Sequence, residues 1–181
     1  MRFFGAWLLT LSLTLMAPML MATPVEAAKQ QPARGEDPFG THERILQWIN
    51  DYRLEPEPER MPDAVKAMSR LGLFRDQDTA GVYVGFMAGV LGSNPHTAEL
   101  LVTRMFPMPP EDQAVIIKAI AYSGLPHWKE LLGKFIERMP ARKTLIDSYL
   151  FGKAHVLYDL PLESGPAPID TLWGYYFATG S

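Results

Sequence analysis

Three prolines set the folding problem for this chain. Pro62, Pro95 and Pro126 lie 33 and 31 residues apart, each ahead of a stretch in which apolar residues recur every three or four positions. Proline fixes φ and lacks an N–H, so it suits a helix's first turn and breaks its interior. Long helices are thereby excluded from the middle of the chain. The spacing predicts short helical pairs instead: 62–71 with 79–91, 95–106 with 110–123, and 126–139 with 141–153. Gly72 and Gly124 follow segment ends, where a left-handed C-cap glycine belongs.

Paired helices at this period predict an all-α domain of helical hairpins stacked as a short α-solenoid-like array, with a non-repetitive helical bundle as the alternative. The period is similar to that of tetratricopeptide repeats, which use about 34 residues. Trp128, Leu131, Leu132 and Gly133 resemble that repeat's opening, but the glycine falls one place late and no tyrosine follows three residues on. What the resemblance implies is hairpin architecture, not membership. Residues 65–73 and 117–125 also echo each other, both ending in Gly-Leu, yet they sit at different places in their pairs and define no repeat.

The pairs are flanked by further elements. Thr41 reads as the N-cap of a first helix over 41–53, with Ile45, Leu46, Trp48, Ile49 and Tyr52 as its buried stripe. Glu55-Pro56-Glu57-Pro58-Glu59 must then run extended, because a residue before proline avoids helical angles. Residues 159–168 form a proline-rich crossing. A last short helix over 169–178 carries Leu172, Trp173, Tyr176 and Phe177, fit to cap a helical stack, and Gly180 marks its end.

The first 27 residues read as a signal peptide. Arg2 precedes an apolar stretch over 3–16, Pro18 interrupts it, and Val25-Glu26-Ala27 offers small side chains at the positions a signal peptidase reads. Cleavage is expected after Ala27, giving a periplasmic or secreted protein; only an uncleaved segment would tie it to the membrane. Residues 28–38, with two prolines and a glycine, read as a disordered leader, leaving 39–181 as one helical domain. The 181 residues contain no cysteine, which excludes disulfides, thiol nucleophiles and cysteine-ligated metals. A net charge of −3 argues against nucleic acid as a partner.

Catalytic signals are sparse. His96 and Glu99, and again His127 and Glu130, stand three apart just after Pro95 and Pro126, so each pair shares a helix face and four ligands from adjacent hairpins would suit zinc. Against a metal, both histidines fall in a first helical turn, whose dipole disfavours cations. Ser69, Ser93, Ser123, Ser148 and Ser164 lie in no Gly-x-Ser-x-Gly elbow. Glu163-Ser164 resembles the Glu-Ser pair of lytic transglycosylases, over two residues only. Asp76 and Asp78 read as helix caps, and no glycine loop for phosphates or other cofactor motif is present.

Gly81, Gly85 and Gly89 form the least ordinary pattern. Glycines four apart line one helix face and let another backbone come close, at up to ~1 kcal/mol of helix propensity each. The expectation is a closely packed helix of the same domain, with Val82, Phe86 and Val90 buried on the flanking ridges; the alternative is a groove for an external helix. With Trp173 and Tyr176 these glycines make up the candidate binding set. Charge is uneven too: 36–78 holds ten acids against six bases, whereas 113–156 holds seven bases against three acids. The reading is an exported helical scaffold that binds another periplasmic or envelope protein without catalysis or cofactor. A small periplasmic enzyme acting on the cell wall is the alternative.

Overall fold

The computed structural model describes residues 37–76 and 79–181. The signal segment, residues 28–36 of the leader and the proposed cap Asp78 lie outside that range. The described residues form eight α-helices and no strand, so the protein is all-α. In chain order they are α1 (His42–Asp51), α2 (Met61–Arg70), α3 (Gly81–Ser93), α4 (Ala98–Met105), α5 (Gln113–Tyr122), α6 (Trp128–Gly133), α7 (Lys143–Leu150) and α8 (Pro166–Thr179). Short 3-10 turns fill several of the joints. No helix among the described residues is long and apolar enough to cross a membrane.

Local chemistry accounts for the helix ends. Thr41 caps α1, its side-chain oxygen accepting the Arg44 N–H. Gly72 ends α2 at φ +72°; its N–H donates to the Ser69 carbonyl and that of Leu73 to the Met68 carbonyl, the paired bonds of a Schellman cap. At Gly124 the Ser123 hydroxyl takes part, donating to the Ile120 carbonyl and accepting the Leu125 N–H.

Several boundaries depart from the sequence expectation. The leader's last two residues belong to the fold: the Asp37 carboxylate accepts the Phe39 N–H at 2.9 Å, and its carbonyl accepts from Arg44. Pro62 lies in the first turn of α2, but Pro95 and Pro126 open a separate turn, and the α-helices begin at Ala98 and Trp128. α3 begins at Gly81 rather than Thr79. The expected helix over 126–139 stops at Gly133, and 3-10 turns at Ile136–Arg138 and Pro140–Arg142 carry the chain to α7. α8 starts at Pro166, three residues early. Pro166 and Pro168 both fall in its first turn, where no intrahelical donor is required.

α3 is the axis of the fold. Tyr83, Val84, Phe86, Met87, Ala88, Val90 and Leu91 are all buried, so the helix is apolar around its whole circumference rather than along one stripe. α4 and α5 pack against it, and α8 returns from the end of the chain to make the most extensive helix–helix contact in the fold. On the α1 side, Phe86 meets the Trp48 and Tyr52 rings edge-on, with centroids 5.1 and 5.0 Å away. Edge-to-face rings favour that arrangement over flat stacking.

Candidate functional site

The glycine stripe is a seam between α3 and α8. A Cβ on Gly85 would overlap the Thr171 carbonyl, and one on Gly174 would overlap the Val82 carbonyl, so each helix presents a glycine to the other's backbone. A Cβ on Gly81 would lie 2.5 Å from the Ala167 carbonyl oxygen, and one on Gly89 would lie 2.6 Å from Ala178 Cβ. The facing residues on α8 are Ala167, Thr171, Gly174 and Ala178, small side chains at helical spacing. This face of α3 is therefore filled by its own chain and has no room for an external helix. Phe86 and Val90 are buried beside it, but Val82 is only half-buried.

Trp173 and Tyr176 stand on the other side of α8. With Ile169 they form an apolar stripe, exposed by 46% (Ile169), 55% (Trp173) and 38% (Tyr176). Trp173 meets Tyr176 edge-on at 5.9 Å, and the Arg53 guanidinium lies 5.7 Å from the Tyr176 ring centre. The sequence thus divides α8 into a small-residue inner face and an aromatic outer face.

His96, Glu99, His127 and Glu130 do come together, around one small depression of about 130 Å³ between the starts of α4 and α6. All four are exposed, and Glu99 is engaged by Lys134 at 2.5 Å. Among the described residues, no three His, Asp or Glu side chains are arranged to hold a cation. Depression and ion pair together describe a solvated surface.

Ser69, Ser123, Ser148 and Ser164 each donate to a protein oxygen rather than meeting a histidine. Ser69 bonds the buried Asp112 carboxylate at 2.5 Å and so ties the end of α2 to the start of α5. Ser164 donates to the Pro161 carbonyl within a 3-10 turn, with Glu163 exposed beside it. One histidine has a polar side-chain partner: His42 Nε2 lies 2.7 Å from the Tyr83 hydroxyl, in an open cleft that Asp76 and Asp170 also line. Burial pushes the Tyr83 phenol up to about 12, keeping it neutral.

A feature the sequence reading passed over is a cavity of about 250 Å³ where α3, α5 and the first turn of α8 converge. Phe74, Val84, Val115, Leu160 and Pro168 supply apolar wall, and Lys118 reaches it from the middle of α5. Desolvation holds the Lys118 ammonium below the ordinary lysine range. The signal was present in the sequence: Lys118 is the one charged residue in the decapeptide of α5. Counted as one of seven bases in a charged stretch, it lost that distinction. Comparison with models of known protein families, with curated proteins and with solved structures finds no match to this chain.

Proposed function

We propose that the protein is an exported, non-enzymatic helical scaffold that binds another periplasmic or envelope protein through the outer face of α8. The observation that carries this reading is the Ile169–Trp173–Tyr176 stripe. Large aromatic side chains left in solvent on a helix whose opposite face is fully engaged are typical of an interaction surface. Arg53 at its edge adds a cation and a long apolar stem to the same patch. The finer architecture belongs to this proposal as well. Stacked hairpins are supported by the packing of α2 on α4, of α3 on α5 and of α5 on α7, three of the four pairings of counterpart helices that such a stack requires.

The test is site-specific photocrosslinking in the full-length protein. A photoreactive phenylalanine analogue replacing Trp173 should give one discrete adduct in the periplasmic fraction, on a chain whose N-terminus is near Ala28. The same analogue replacing Leu100, an exposed apolar residue of α4, should give none. Identical adduct patterns at both positions, or an uncleaved chain confined to the cytoplasm, would overturn the proposal.

The second reading, a cell-wall enzyme, draws on the His42–Tyr83 bond in its cleft. Incubation with purified peptidoglycan decides against or for it. Release of soluble fragments that His42→Gln abolishes would replace the scaffold by the enzyme.

A further inference from the structure

The cavity beside α5 differs from the other depressions in what it places in an apolar setting. Lys118 is half-buried between Ile117 and Ala119, which are themselves buried, and no carboxylate among the described residues pairs with it. The ion pairs of Arg60, Arg70, Arg104, Lys134 and Lys143, by contrast, are all made with carboxylates that keep a third or more of their side chain in solvent. An unpaired ammonium drawn out of water is costly unless something compensates it. A purely structural residue here would be served better by leucine or methionine.

We propose that this cavity binds a small organic anion, a carboxylate on an apolar chain or ring, whose charge is met by the Lys118 ammonium. The wall chemistry selects the body of the ligand, because Phe74, Val84, Val115, Leu160 and Pro168 offer it no charge. The size selects its length: about 250 Å³ has room for on the order of ten non-hydrogen atoms. Two helix starts lend a favourable field, since Ala80, the residue that caps α3, Gly81 of α3 and Ala167 of α8 line the same space. Pro166 and Pro168 remove two N–H groups from the first turn of α8, so that helix contributes its dipole more than its donors. Glu111 is the one acid in the lining; it is exposed and forms no ion pair with Lys118. Arg142 fixes the turn that carries it, bonding the Pro110 carbonyl at 2.8 Å and the Glu111 carbonyl at 3.1 Å. The site therefore sets one cation, Lys118, against an apolar wall, with the hydroxyl-bearing side chains of Tyr122, Ser164 and Thr171 in the same lining. Burial lowers the affinity of that cation for its proton, and a bound carboxylate would restore it.

Calorimetric titration of the full chain with sodium octanoate, and separately with octanamide, tests the proposal. Octanoate should bind one to one, at least ten-fold more tightly than the neutral amide of the same length. Lys118→Met should remove that preference while melting no lower than the parent, because an unpaired charge has left an apolar site. Should Lys118→Met fail to fold, the comparison of octanoate with octanamide on the unmodified chain still decides. Equal affinity for the two probes, no saturable octanoate binding, or full octanoate affinity in a folded Lys118→Met would each overturn it.

Discussion

The two faces of α8 are built on opposite principles. On the inner face, Gly174 and Thr171 are set so close to α3 that backbone meets backbone, and the seam tolerates no added atom. On the outer face, Trp173 and Tyr176 are among the largest side chains available, and 55% of the first and 38% of the second stays exposed. Small residues save nothing in transfer free energy, but they let two helices exchange dispersion contacts along their length. Large residues left outside contribute little to folding, and their surface remains for another use. The lesson is that residue size on a helix does not mark the side that faces the core. In this helix the bulky side faces water.

That contrast can be broken most sharply from within the seam. Gly85→Leu should destabilise the fold by at least ~3 kcal/mol, because Thr171 backbone cannot yield as a side chain would. At about 2–4 °C per kcal/mol for a domain of this size, the melting temperature should drop visibly. A rise would mean that the seam is open, since leucine is the better helix former. Gly174→Ala should act in the same direction and less severely, on the order of 1–3 kcal/mol, with the Val82 carbonyl as the obstacle. A neutral Gly174→Ala in a denaturant titration would show that the approach is not reciprocal.

Alkaline unfolding reports on the far side of α3. Burial pushes the Tyr52 and Tyr83 phenols up to about 12, with Glu59 and Glu57 adding to the shift at Tyr52. Burial raises Tyr149 as well. A raised phenol means that the fold holds its proton more tightly than the unfolded chain does. The stability this supplies is complete below about pH 10 and lost as pH climbs through about 12. Lys118 acts with the opposite sign, gaining stability as pH rises toward the ordinary lysine value. The double variant Tyr52→Phe, Tyr83→Phe should therefore unfold at higher pH than the parent. Coincident alkaline transitions would remove these two phenols from the account. The smallest effect belongs to the outer face: Trp173→Ala should change stability by no more than about 0.5 kcal/mol in the same denaturant titration. A larger loss would show that Trp173 is structural after all.

Much of this organisation was legible in the sequence, for identifiable reasons. Thr41, Gly72 and Gly124 mark helix ends because caps depend on local chemistry, which a single chain displays. Gly81, Gly85 and Gly89 signalled a close neighbour, but nothing in their spacing named α8, which follows some eighty residues later. The helices around α6 and α7 were overlong in the reading because apolar periodicity runs on through the 3-10 turns at Ile136 and Pro140. His96, Glu99, His127 and Glu130 were placed together by the hairpin spacing, while the Lys134 contact that occupies Glu99 comes from outside the motif. Lys118 escaped notice because net charge is counted over stretches, whereas the cost of burial falls on one atom.

The seam also bears on the order in which the chain is made. α3 leaves the ribosome roughly eighty residues before the helix that covers it, and the intervening loop must close before Gly85 and Gly174 can meet. Until then the central helix of the finished protein exposes an apolar flank with bare backbone at three positions. A chain that stops before Pro166 therefore leaves the glycine face of α3 without the helix that covers it.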